Sequence, residues 1–336
     1  MKLEALVSEI RSHPGVTRKK AISEVLHFFS YTHFDSVLAS YGEDCAVLDY
    51  GESVLLLAAD GIMESLMKAN PFFAGYYSIL VNINDISAMG GIPLAMVDII
   101  SMKDEKVCAQ VMKGMETAIR KFGVPVVGGH THPDCNYDAV DVAILGTVSK
   151  DAVIYSHTAN PGQDIIFAMD LDGFFPEKLR FAWDTTSKKD SDTCRRQMLI
   201  MNEIGKRHLV SAGKDMSNPG SIGTLGMLLE TSGKGGCVDL DQVPIPPGVD
   251  LTQWLKSYQG CGFVVTAPQR NSAEVIDMFG SVGVTAAVVG QVDAGRRLVL
   301  KQGEESGIVF DFEKEIITGC DPSKAPVPAV CSSCKD

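Results

Sequence analysis

Positive charge is scarce in this chain. Its 30 Lys and Arg stand against 42 Asp and Glu, a net charge of −12 at pH 7. Nucleic-acid backbones and anionic lipid surfaces are bound through clustered cations, so neither is expected as a main partner. Long apolar runs are missing too. The longest strongly apolar stretch, residues 54–59, is far too short to span a bilayer, and the start of the chain is interrupted by Lys2, Glu4, Glu9 and Arg11. No signal segment or membrane span is expected, and the chain reads as cytoplasmic. The common nucleotide and nucleophile signatures are also absent: there is no G-x-x-x-x-G-K-[ST], no strand-linked G-x-G-x-x-G, no kinase H-R-D or D-F-G and no G-x-S-x-G elbow. Any use of ATP must come through a less common fold. A disulfide framework is equally unexpected, because nine scattered cysteines in a chain without a signal fit reduced thiols. Cys331 and Cys334 form a C-x-x-C in a Pro-interrupted C-terminal stretch. That is half of a tetrahedral metal site, or part of a flexible tail with no defined role.

What is present suits two domains, since 336 residues with 45% hydrophobic content can bury two cores. Residues 1–36 read as a helical, mobile N-terminal segment carrying the most basic spot of the chain, Arg18-Lys19-Lys20. Residues 37–155 alternate strand and helix patterns, with strands at 44–49, 54–59, 94–101, 124–127 and 140–148. Helices are expected at 72–89 and 106–121, the second with Val107, Val111, Met115 and Ile119 at helical spacing. This is a mixed α/β domain. Residues 156–318 form a second, α+β unit with strands at 164–169, 237–240, 262–266 and 286–292. Its helices are expected at 193–210, 219–232, 251–258 and 272–279, the second of these capped by Asn218 and opened by Pro219. Residues 319–336 are the tail.

Four acidic or Gly-rich clusters punctuate the first half: Gly42-Glu43-Asp44, Ala59-Asp60-Gly61, Asn82-Ile83-Asn84-Asp85 and Gly128-Gly129-His130-Thr131. Asp and Gly are the commonest turn formers, so each cluster alone is compatible with ordinary turn chemistry. As a set they suggest distant carboxylates assembling a site for Mg²⁺ and a nucleotide. Asp44, Asp60 and Asp85 are hard oxygen ligands able to hold more than one ion, and a Gly-Gly turn lets backbone N–H groups approach phosphate oxygens.

The order G-[DE]-D-x-A-V, A-D-G, V-N-x-x-D-[IL]-x-A-M-G and G-G-x-T resembles the aminoimidazole ribonucleotide synthase-like ATP-binding superfamily over roughly residues 37–300. That superfamily includes thiamine-monophosphate kinase, selenide water dikinase and the hydrogenase maturation dehydratase. Trp183-Asp184, residues 16–20 and residues 245–251 look most like its branch called methanogenesis marker protein 2. The resemblance implies a two-domain fold, a homodimer formed by the N-terminal domains, and ATP held through Mg²⁺ in the cleft between domains. It implies Asp44, Asp60 and Asp85, with Glu43, as metal-binding carboxylates, and Asn82 as a polar residue lining the nucleotide site. Gly128, Gly129 and Thr131 match the phosphate-side turn, and Asp215 opens the second domain's D-x-[ST] motif.

The expected chemistry is phosphoryl transfer to an amide or acid oxygen in cofactor biosynthesis or enzyme maturation. Lys20 or Lys19 would reach the transferred phosphate, Asp215 would orient or deprotonate the acceptor, and His130 would bond a phosphate or substrate. Thiamine-monophosphate kinase itself is the runner-up, weakened because Asn218-Pro219 stands where that kinase has a second acidic residue. An ATP-binding maturation scaffold that engages a partner protein through its cysteines is the reading from another class. His130, His132 and Cys135 also form a His-x-His-x-x-Cys run suited to a softer metal, or are surface loop residues.

Overall fold

The computed structural model describes residues 2–29, 34–258 and 260–320, the side chains of residues 27–29 excepted. Cys331 and Cys334 lie outside the described residues. Two sheets organise the chain. The first has six strands: β1 (Val37–Ala39), β2 (Ala46–Tyr50), β3 (Ser53–Gly61), β4 (Ile92–Ser101), β5 (Val126–His132) and β6 (Ala139–Ser149), in the order β1-β2-β3-β6-β4-β5. Alternation along β3 sends Val54, Leu56 and Ala58 inward and leaves Leu57 exposed, as expected for a sheet with one covered face.

The Pro71–Ala88 and Glu105–Phe122 helices cover that inner face. Asn70 caps the first, accepting the Phe73 N–H at 3.2 Å, with Pro71 in its first turn. Asp104 caps the second, and Gly123 ends it in the left-handed region. Where the two helices meet, a Cβ on Gly75 would lie 1.9 Å from the Val111 carbonyl oxygen, and one on Gly114 2.0 Å from that of Phe72. Backbones this close require glycine. Tyr76, Tyr77, Ile79, Ile83 and Ile86 are consequently buried against the sheet.

The second sheet has seven strands: β7 (Asp164–Met169), β8 (Ala212–Asp215), β9 (Gly235–Asp239), β10 (Gly262–Ala267), β11 (Thr285–Asp293), β12 (Arg297–Gln302) and β13 (Glu305–Asp311). Their order is β13-β12-β9-β11-β7-β10-β8. Every residue of β7 and β10 is buried, because helices cover both faces. Ile165, Phe167 and Met169 share a core with Ile222, Leu225 and Leu228 of the Gly220–Ser232 helix. Ile166 and Ala168 face the other way, toward Ile200 and Ile204 of the Ser191–Lys206 helix and Val275 and Phe279 of the Gln269–Ser281 helix.

The two layers are joined by polar contacts as well as packing. Tyr76 Oη lies 2.9 Å from Thr186 Oγ1, Tyr77 donates to Asp184 at 3.1 Å, and Asn202 donates to the Gly90 carbonyl at 2.7 Å.

Three sequence expectations change. The N-terminal segment is docked: Leu3, Leu6 and Ile10 of the Leu3–Arg11 helix are buried in the core that also holds Leu298 and Phe310. Gly128-Gly129 is no turn but the middle of β5. Asp98 on the neighbouring β4 fills the space above Gly129, where a Cβ would meet its carboxylate at 1.9 Å. The helix expected from Pro219 begins at Gly220 with no side-chain cap, and the Asn218 amide oxygen is buried with no hydrogen-bond partner among the described residues. Among the described residues no helix is long and apolar enough to cross a membrane, and the described cysteines are all free thiols.

Candidate active site in the cleft between the domains

Four separate elements deliver carboxylates to one cleft of about 540 Å³. Asp44 comes from the loop leading into β2, Asp60 from the end of β3, Asp85 from the Pro71–Ala88 helix and Asp215 from the end of β8. Oxygens of Asp44, Asp85 and Asp215 all lie within 4.8 Å of one another. Asp60 lines the same cleft from the exposed end of its strand but stands outside that group of three.

Burial pushes the Asp85 carboxyl well above the usual carboxylate range, and Asp215, Asp44 and Asp60 push it further. Burial and then Asp44 push Asp215 up to about 7, against the pull of Lys214. Carboxylates crowded this way need a cation, and Asp215 is only 5% exposed with no hydrogen-bond partner for its carboxylate among the described residues. Hard oxygen donors converging at this spacing fit a Mg²⁺-type ion, for which one or two protein carboxylates suffice alongside phosphate and water.

The opposite wall comes from the N-terminal segment. His13 Nδ1 accepts the Gly15 N–H at 3.0 Å, and Gly15 packs so tightly that a Cβ would lie 2.0 Å from the Asn218 carbonyl oxygen. The following turn is thereby held over the cleft. Arg18 and Lys19 line it, and burial and Lys214 lower the affinity of Lys19 for its proton. Lys20 corrects the sequence reading. It is exposed and lines a different groove, with Arg11, Phe310, Phe312 and Ile317, whereas Lys19 lines the cleft.

The other expected residues are placed differently. Glu43 lines the cleft with its carboxylate bonded to Ser156 and His157. Its Oε2 accepts the Ser156 N–H at 2.7 Å and the Ser156 hydroxyl at 3.0 Å, while Oε1 lies 2.6 Å from His157 Nδ1. Burial alone would raise this carboxyl; the His157 and Ser156 bonds outweigh it and hold it below the usual range. Both oxygens are engaged, so Glu43 ties the Asp44 loop to the second domain, and it stands outside the aspartate triad. Asn82 is fully buried, donates to the Ser78 carbonyl at 2.8 Å and does not line the cleft, whereas Asn84 and Asp85 do.

Gly128, Gly129, His130 and Thr131 also lie outside the cleft lining. The ladder Gly61–Asp141–Ile99–His130 puts His130 three strands away from the Asp60 strand, roughly 14 Å at ordinary strand spacing. Its ring packs edge-on against His132, with centroids 4.6 Å apart. With Cys135 they do not form a metal cluster; among the described residues the one such group is the aspartate triad.

The sequence reading missed Lys214, buried and ion-paired to Asp44, and Tyr258, Thr231 and Cys320, which complete the cleft walls. Lys214 had a signal of its own: a lone cation beside Asp215 in the small-residue strand Ala212–Asp215.

Family models described as AIR synthase related protein, N-terminal domain and C-terminal domain match residues 42–148 and 177–302. The chain belongs to this AIR synthase related family. An uncharacterized protein of Methanocaldococcus jannaschii is 46% identical over 95% of this chain and 100% of its own length. Among solved structures, T. maritima PurL complexed with ADP superposes with a TM-score of 0.72 at 18% identity. It covers 95% of this chain and 52% of PurL, so the chain spans about half of that protein's length. AaThiL complexed with AMPPCP and TMP gives 0.64 at 16% identity, covering 92% of this chain and 99% of AaThiL. Both share the two-domain fold that the motif order pointed to.

Proposed function

We propose that this member of the AIR synthase related family is an ATP- and Mg²⁺-dependent phosphoryl-transfer enzyme, a kinase or synthetase acting on an amide or acid oxygen of a small or carrier-bound substrate in the cytoplasm. The observation that carries this reading is the convergence of Asp44, Asp85 and Asp215 in a cleft whose other wall supplies Arg18 and Lys19. Bound nucleotides in the structures of PurL and AaThiL support it.

Asp85 and Asp215, beside the Lys214-paired Asp44, would hold Mg²⁺, which supplies charge neutralisation at phosphate oxygens. Lys19 and Arg18 attract the phosphates from the facing wall. Asp215, the carboxylate nearest the second domain's helix start, orients the acceptor. Ile22, Ile62, Met63 and Leu66 line the apolar remainder of the cleft, room for a nucleoside or acceptor body.

We further propose a homodimer that pairs the open faces of two six-stranded sheets, where Leu57, Val97, Ile99 and Val127 are exposed. Such a pairing would bring Gly128, Gly129, His130 and Thr131 into an interface. The nucleotide reading is tested by titrating ATP into the purified protein: binding is expected with Mg²⁺ and not with a chelator present, and equal affinity in both conditions would overturn it.

A further inference from the structure

The carboxylate cluster contains a cation of its own. Lys214 Nζ is bonded to Asp44 Oδ1, and both side chains are almost fully enclosed, 9% and 4% exposed respectively. Asp44's second oxygen accepts the Asp215 N–H at 3.3 Å. One member of the triad therefore has both oxygens engaged by β8. Asp215, 5% exposed, presents to the same space a carboxylate with no hydrogen-bond partner among the described residues. The three carboxylates and one ammonium leave a formal charge of −2 at the centre, which a single divalent ion balances. At the rim Asp60 and Lys19 add one charge of each sign.

We propose that Lys214 is a resident cation occupying one metal position of the cluster, so that the protein takes one divalent ion there, between Asp85 and Asp215, and not two. This rests on the metal-binding reading of the cluster given above. An ammonium differs from a metal ion in a useful way. It cannot be lost to a chelator, and as a compact donor on a flexible stem it can remain on Asp44 or turn its free hydrogens to a phosphate oxygen.

The probe is Mn²⁺ alone, without nucleotide. Binding is followed through the loss of the free-ion paramagnetic signal in about 0.15 M salt, where exposed acidic groups are screened. Wild type is expected to bind one ion per chain, Asp215→Asn to lose it and Lys214→Arg to keep it. Lys214→Met, checked for native circular dichroism, is expected to bind a second ion or to bind the first about tenfold more tightly. Two ions per wild-type chain overturn the inference and leave the metal site standing. No ion overturns the metal reading itself. Should Lys214→Met not fold, the wild-type stoichiometry still decides between one and two. A folded Lys214→Met that binds one ion with unchanged affinity also refutes the role given to Lys214.

Discussion

His13 shows how a single side chain outside the cleft lining can hold one of its walls. Its neutral imidazole accepts the Gly15 N–H and packs edge-on against Phe181, with centroids 5.2 Å apart. Burial and then the charge of Lys256 push its pKa below the usual histidine value. The folded state therefore resists a proton that the unfolded chain accepts below about pH 6.5. Stability from this residue is complete above that pH and falls as pH drops through it toward the lower folded-state value. Thermal melting of wild type and His13→Asn, whose amide oxygen can accept the same N–H, checks this. Wild type should lose more melting temperature than the variant between pH 7.5 and 5.5; parallel losses would exclude the role.

At this scale the sequence was readable where chemistry is local. Asp44, Asp60, Asp85 and Asp215 stand out as acids within the ordered motifs, and the structure gathers all four in one cleft. Lys19 and Lys20 could not be told apart, because consecutive residues of a 3₁₀ turn point about a third of a turn apart. The fate of Glu43 was hidden for another reason: its partners lie 113 and 114 residues away.

Among elements, the long, strongly patterned ones matched expectation, and departures fall at β8 and β5. The two long helices of the first domain and strands β3, β4, β6, β7 and β10 were legible from period and capping residues, whereas the short Glu64–Ala69 helix was not. β8, only four residues long and ending Lys214-Asp215, carries almost no strand pattern. β5 was cut short because Gly128-Gly129 reads as a turn; the side chain and carbonyl of Asp98 on the next strand account for Gly129, while a Cβ at Gly128 would meet nothing within 4 Å.

Glycine inside helices gives a prediction of opposite signs at two sites. Gly114→Ala must push against the Phe72 backbone and should destabilise by roughly 1–3 kcal/mol despite alanine's better helix propensity. Gly280, near the end of the Gln269–Ser281 helix, has open space around its Cβ position, so Gly280→Ala should be neutral or stabilising by up to about 1 kcal/mol. Denaturant melts of both variants report the signs directly, and a Gly114→Ala protein as stable as wild type would contradict the tight crossing.

For the molecule as a whole, one face of the six-stranded sheet carries the two long helices while the other leaves Leu57, Val97 and Ile99, half-exposed residues of the two strands that flank β6, open to solvent. Apolar surface of this kind on a single sheet face is what a homodimer would cover. Light scattering at micromolar concentration and physiological salt should give twice the 36.1 kDa chain mass, and Ile99→Asp should shift it toward the monomer. A monomer mass for wild type would refute the dimer.

The cleft is likewise a property of the whole chain, since its carboxylates come from both domains and its cations from the docked N-terminal segment and β8. Calorimetric titration of ATP into wild type and Asp85→Asn, each with and without Mg²⁺, asks whether that assembly holds a nucleotide through metal. The predicted result is Mg²⁺-dependent binding in wild type, weakened at least about tenfold in Asp85→Asn, a loss of roughly 1.4 kcal/mol. Equal affinity in all four titrations would contradict the account.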